Sequence, residues 1–363
     1  MRKSLIKLEF AGWMMLVVFL ASSTHLQAGN KDRIGQAGAS ELLINPWTRS
    51  NGFGSANTAA SQGLESMHLN VAGLAFTNKT ELLFSRTAYL VGSETNINAF
   101  GLSQRLSETS VLGIGVMSMD FGDLNVTTEN LPEGGSGTFS PQYLNVGVSY
   151  AREFSNSIYG GATLKTISES IADANALGVA FDAGIRYVTG EKDNLKFGIA
   201  LRNVGPKMQF RGDGFATKVS LNDEEITLSQ RTEGFELPAL LNIGIAYDYY
   251  LFAKADSSGS GMVSDHRITG AFSFTSNSFG KDQLHFGAEY GFRNLIMIRG
   301  GYVWEDGLLV NTDERNTAFS GPAAGVTLQI PLNDKGGTID IDYSYRVTNP
   351  FDGTNSIGLR LNI

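Results

Sequence analysis

The chain has no cysteine among its 363 residues, only 8 prolines and only 4 histidines. Without cysteine there is no disulfide framework, thiolate zinc site, iron–sulfur cluster or thiol nucleophile. His25 falls in the N-terminal leader, and His68, His266 and His285 are far apart, with no ligand spacing such as HxxxH. Beyond the first thirty residues no run approaches the ~20 apolar residues that a membrane-spanning helix needs. No GxSxG elbow occurs, and Gly52-Phe53-Gly54 lacks the third glycine and the preceding strand of a dinucleotide fingerprint. Neither an enzyme nor a cofactor is expected. Glycine, by contrast, is abundant at 43 residues, beside 22 Phe and 12 Tyr, and this favours a β architecture.

The N-terminus reads as a processing signal. Arg2, Lys3 and Lys7 precede the apolar stretch from Phe10 to Ala21, and small residues lead to Ala28. Residues 1–28 are therefore expected to be an export signal. Removing them takes away Arg2, Lys3, Lys7 and Glu9, which moves the formal net charge from −8 to −10. That acidity argues against a nucleic-acid partner.

From about residue 80 the chain alternates with period two. Ile339, Ile341, Tyr343, Tyr345 and Val347 face one way, and Asp340, Asp342, Ser344 and Arg346 the other. The same pattern holds for Leu284, Phe286, Ala288 and Tyr290 against His285, Gly287 and Glu289. Successive side chains of a strand point to opposite faces, whereas a helix would space apolar residues by three and four. Fourteen such runs begin near residues 80, 95, 110, 141, 157, 177, 194, 237, 266, 283, 294, 318, 336 and 354. An even number of ~10-residue alternating segments is the signature of an outer-membrane barrel. Short connections (Glu108-Thr109, Ser155–Ser157, Glu191–Asp193, Asn294, Asn333–Gly336) alternate with long polar ones at about 121–140, 206–236 and 305–317. The expected fold is all-β: a 14-stranded antiparallel transmembrane β-barrel over 80–363, in contact with outer-membrane lipid. A soluble β-sandwich is the alternative, but it would turn its apolar face inward.

If the apolar stripe faces lipid, the other stripe faces a charged lumen. Asp182, Arg186, Lys196, Arg202, Asp248, Glu289, Arg293, Arg299, Asp340, Asp342, Arg346 and Arg360 fall on it. Cross-strand ion pairs are expected between Glu289 and Arg299, and between Asp340 or Asp342 and Arg360. Mixed signs favour a lattice that fills the barrel over a charge-selective pore, and they disfavour an interior path for hydrocarbons. Residues 29–79 do not read as strand; Leu42, Leu43, Ile44, Trp47 and Phe53 need a surface to bury against, so the segment is expected to plug or cap the barrel. Asn222-Asp223-Glu224-Glu225 reads as a solvated loop tip in preference to a calcium contact.

Several short motifs resemble the PorV/PorQ family. Leu42-Leu43-Ile44, Arg49, Gly52, Gly54 and Ala56 lead to Asn70-Val71-Ala72-Gly73-Leu74-Ala75, which is similar to its "NPAGLA" segment with Val71 in place of proline. Asn203-Val204-Gly205-Pro206 resembles its "NxGP" segment. Gly287-Ala288-Glu289-Tyr290 with Arg299-Gly300-Gly301-Tyr302 resembles a "GxEY…RxGY" hairpin, and Asp342-Tyr343 a late "DY". The resemblance implies a FadL-type barrel in the outer membrane of a Gram-negative bacterium, associated with type IX secretion. It further implies a non-enzymatic binding component whose outer loops recognise a translocon chain, the C-terminal signal domains of cargo, or a surface partner. The alternative is a FadL-like channel for hydrophobic compounds, or a small-solute porin.

Overall fold

The alternating runs become one continuous wall. A computed structural model describes residues 33–221, 224–252, 254–255, 262–308, 318–332, 336–348 and 351–363. The segment read as an export signal, Asn222-Asp223 of the acidic run and most of the 305–317 loop lie outside the described residues. Fourteen long strands form: β1 Thr80–Ala88, β2 Asn96–Arg105, β3 Ser110–Asp120, β4 Gln142–Ser155, β5 Ile158–Ile171, β6 Ala174–Thr189, β7 Leu195–Val204, β8 Leu240–Leu251, β9 His266–Asn277, β10 Gln283–Phe292, β11 Ile296–Glu305, β12 Gly321–Pro331, β13 Thr338–Arg346 and β14 Thr354–Asn362. Each pairs antiparallel with its sequence neighbours, and β14 returns to β1 with Glu81 opposite Asn362 and Ala88 opposite Asn355. The sheet is a closed 14-stranded antiparallel barrel, and closure removes the unpaired edges an open sheet would carry.

Exposure runs opposite to that of a soluble domain. On β13, Ile341, Tyr343 and Tyr345 are exposed while Asp340, Asp342 and Ser344 are buried; on β6, Ile185 is 61% exposed beside Arg186 at 1%. An apolar exterior around a polar interior excludes the sandwich and is what lipid requires of a barrel. Short turns lie at the end where β1 begins, the inner end, and long connections at the other, the outer end. Two connections depart most from this, and residues 278–282, at the outer end, are also short. Residues 252–265 are long at the inner end, and β5 joins β6 at the outer end through Ala172-Asp173 alone.

Residues 40–76 run through the lumen as short helical turns, Ser40–Leu43, Thr48–Gly52, Gly63–Glu65, Ser66–Leu69 and Val71–Phe76. They meet the inward face of every strand, from Thr48 on Ser85 of β1 to Arg360 of β14 on Glu65. Near the outer end Gly38 N donates to Glu236 O at 3.1 Å, and near the inner end Arg105 Nη2 donates to Ala75 O at 2.7 Å, so this inner segment descends from outer to inner end. Here the glycine content finds its use. A Cβ on Gly301 would lie 2.3 Å from the Phe53 carbonyl carbon, and one on Gly184 would lie 2.2 Å from the Asn70 side-chain oxygen. Inward glycines on β2, β3, β5 to β8, β10 to β12 and β14 clear the space that the inner segment fills.

Candidate functional site

The lower lumen is a lattice of charges shared between wall and inner segment. Arg299 Nε donates to Glu289 Oε2 at 2.9 Å, the pair lying directly opposite in the β10–β11 ladder. Glu289 also receives Arg267 at 2.8 Å and Arg49 of the inner segment at 3.3 Å. The second expected pair is corrected. Asp340 stands opposite Arg360 in the ladder, yet Arg360 turns inward to Glu65 at 2.8 Å and Glu81 at 3.4 Å. Asp342 takes Thr327 and faces Arg299 at 3.7 Å. The inner segment brings Glu65 within contact of the guanidinium beside Glu81 of β1, and the joint attraction of these two buried carboxylates is strong. Arg293 is corrected too: it sits in the inner-end turn, exposed, beside Asp265 at 3.2 Å.

Wall arginines also grip inner-segment carbonyls. Arg186 donates to Ser61 O at 2.7 Å and lies over the Phe76 ring, and Arg202 donates to Leu42 O at 3.2 Å. Short helical turns leave such oxygens free at their ends, so a buried guanidinium satisfies them. Burial pushes the Glu65 carboxyl up, but Arg360, Arg49 and the Ser50 hydroxyl outweigh that and hold it below the ordinary carboxylate value. Burial, with Arg202 and Lys165, holds His68 well below the ordinary imidazole value. Burial beside Glu169 pushes Glu41 up to about 8.

The motif residues divide by face. Asn70 caps the Val71–Phe76 turn, accepting from Ala72 N at 3.2 Å and donating to Ile185 O at 3.1 Å. Ala72 and Leu74 are fully buried, and Gly73 approaches Ser61 O so closely that a Cβ would lie 2.3 Å away. Val71 opens that turn where proline is equally at home. Glu289, Arg299, Gly301 and Asp342 point into the lumen, while Tyr290 and Tyr343 are exposed and Tyr302, paired with Phe286, shares the outward face. Asn203 holds a left-handed backbone (φ 59) at a register shift between β6 and β7. Its amide donates to Asp182 at 2.7 Å, its side chain to Pro238 O at 3.1 Å, and it accepts from Lys165 at 2.6 Å. Gly205 lies against Val179 O.

That register shift opens a seam. β7 ends at Val204 opposite Phe181, and the next chain to pair with that edge of β6 is Phe210-Arg211, opposite Asn175 and Ala176. Between them Met208 fills the gap over Gly178. Met208 belongs to a buried apolar cluster with Leu42, Ile167, Ala176, Ala180 and Leu237. A second outer-end cluster joins Ile44, Ile97, Met117 and Met119, with Tyr89, Phe121, Tyr143 and Phe319 packed on it. The outer third of the lumen thus holds two apolar clusters beside the buried Glu41, Glu169 and Arg346, where the sequence pattern led us to expect charge alone. Alternation fades on β3, where Ile114, Val116, Met117 and Met119 are apolar on both faces; that loss of contrast is the signal in the sequence. Below it lies a polar cavity of about 80 Å³ among Arg49, Lys196, Asp248, Arg267 and Glu289. Above, one of about 70 Å³ lies among Leu42, Trp47, Met67, Met117, Glu41 and Lys165.

This defines an outer-membrane-type barrel with a filled lumen, a charge lattice below and apolar clusters above. No family model and no characterised protein sequence matches the chain. Solved structures do share its fold. The Pseudomonas aeruginosa FadL homologue has a TM-score of 0.53 at 11% identity, over 88% of this chain and 98% of that one. The Pseudomonas putida toluene transporter TodX has 0.52 at 12%, over 86% and 95%. A TodX deltaS2S3 mutant, described as a monoaromatic hydrocarbon channel, has 0.51 at 12%, over 87% and 99%. The fold is therefore of the FadL type.

Proposed function

We propose that the protein is an outer-membrane channel that admits small hydrophobic compounds from the outer end. The observation carrying this reading is the pair of buried apolar clusters in the outer third, built around Met117, Met119 and Met208. Thioether side chains are unbranched and polarisable, and they repack around an apolar guest at little cost. Onward movement through the lower lumen would set an apolar molecule among Arg186, Glu289 and Arg299, which is unfavourable. Displacement of Met208, which fills the seam, would open an apolar way sideways to lipid. A binding measurement tests this: bromobenzene should quench Trp47 fluorescence saturably in a Trp304→Phe background, and Met117→Arg should remove the saturable part. Equal quenching in the two proteins would exclude the site.

A second reading, a binding component of type IX secretion, is favoured by a different feature. The connection after β7 carries a hairpin, Ala216–Leu221 paired with Glu224–Ser229, on which Val219, Ile226 and Leu228 share one exposed face. An apolar face on a water-exposed hairpin is suited to a protein partner. Gentle affinity purification from outer membranes tests it. A translocon chain or cargo with a C-terminal signal domain should co-purify, and recovery of the barrel alone would remove this reading.

A further inference from the structure

The outer cavity of about 70 Å³ is apolar on most sides and polar at one end. Gly115 of β3 and Gly147 of β4, directly opposite in the ladder, form its floor. The Met67 methyl lies over them, 3.2 Å from where a Cβ on Gly115 would stand. Leu42, Pro46, Trp47 and Met117 complete the apolar lining. Asn145 breaks this pattern. It faces inward on β4, directly opposite Met117 of β3 and Ile167 of β5, and lines the cavity. It is 8% exposed, and its side-chain oxygen is buried with no hydrogen-bond partner. An amide oxygen taken from water and left unpaired is costly, so its place in an apolar row calls for a partner that the chain does not supply. A purely apolar guest would seal that oxygen away without a donor, whereas a guest with a hydroxyl would pair it.

We infer that this cavity takes a neutral, mainly apolar compound bearing a hydroxyl group, such as a simple phenol, with the hydroxyl on Asn145 and the ring against Trp47, Met67 and Met117. The inference rests on the channel reading and names the class of compound admitted. A hydroxyl both donates and accepts, so it suits the Asn145 amide in either orientation. A space of about 150 Å³ holds benzene. The guest must therefore push Met67 or Met117 aside, which unbranched thioether chains allow. A carboxylate is disfavoured. Glu41, at the polar end, lies beside Glu169 and the Asn145 side chain, and the two acids share a proton, which leaves one negative charge there. Lys165, the cation in the lining, is held by Asp182 at 2.7 Å and Asn203 at 2.6 Å, and His68 is neutral.

Trp47 lines the cavity and reports its occupancy. The full mature barrel carrying Trp304→Phe is held in detergent micelles at neutral pH, where a phenol keeps its proton. It is titrated with bromobenzene and with para-bromophenol, which share ring and heavy atom and differ by the hydroxyl. Saturable quenching of Trp47 gives each affinity. Bromophenol should bind roughly tenfold more tightly than bromobenzene, and Asn145→Leu should abolish that preference while still binding bromobenzene. Para-bromobenzoate should bind more weakly than either. Circular dichroism establishes that the variant retains its strands, and Asn145→Ala takes its place if it does not. Saturable binding without preference, or a preference that survives Asn145→Leu, would overturn this inference and leave the channel reading standing. Bromobenzoate binding as tightly as bromophenol would overturn the neutral class. No saturable quenching by any of the three would remove the channel reading and the inference with it.

Discussion

Arg360, on the last strand, donates to Glu65 of the inner segment at 2.8 Å and not to Asp340, its neighbour in the ladder. The contact ties the end of the chain to a residue that precedes the first strand, so the barrel closes around its own contents. Removing one partner strands a buried charge. Arg360→Met is expected to cost about 3–5 kcal/mol in urea unfolding. Glu65→Gln should cost a similar amount, and the double variant less than the sum of the two. Additive losses would show that the pair does not interact.

Gly301 and its neighbour Gly300 make an internal control. A methyl on Gly301 would meet the Phe53 backbone at 2.3 Å, whereas one on Gly300 finds its nearest neighbour, Ala323 O, at 3.9 Å on the outward face. Gly301→Ala is expected to destabilise by about 1–3 kcal/mol and to loosen the inner segment, and Gly300→Ala to change little. Limited proteolysis within residues 40–76 reads the difference.

His68 should make stability fall in acid. Burial and the nearby Arg202 and Lys165 depress its pKa from 6.5, so the unfolded chain binds the proton more tightly. The stabilisation is present above pH 6.5 and is lost as pH falls below it. His68→Asn cannot titrate. The difference between wild-type and variant unfolding midpoints should therefore be constant at higher pH and shift against the wild type in acid. A constant difference throughout would contradict this placement of His68.

Asn203 combines a left-handed backbone with three polar contacts at the seam. Asn203→Ala loses the side-chain bonds to Lys165 and Pro238 and strains the backbone, at a cost of about 1–3 kcal/mol. Asn203→Gly relieves the backbone and should recover part of that loss. Equal destabilisation in the two variants would assign the whole effect to the side chain.

The wall was legible in the sequence because lipid outside and polar groups inside impose alternation residue by residue, as in Asp340 to Tyr345. The lattice was less so. Register alone pairs Arg360 with Asp340, and only the fold shows that Glu65 reaches its guanidinium. The apolar clusters of the outer third were missed because Met117 and Met119 face inward from a strand whose outward face is apolar as well.

The central claim is passage of apolar compounds through the outer third of the lumen. Its most direct test is the initial uptake rate of a radiolabelled monoaromatic hydrocarbon by cells whose lipopolysaccharide leaflet otherwise excludes it. Cells carrying the wild-type barrel should take it up faster than cells without it. Met119→Arg or Met208→Arg should return the rate to background while the barrel still assembles. Uptake no faster than in cells lacking the protein would contradict the channel and turn attention to the outer hairpin and its partner.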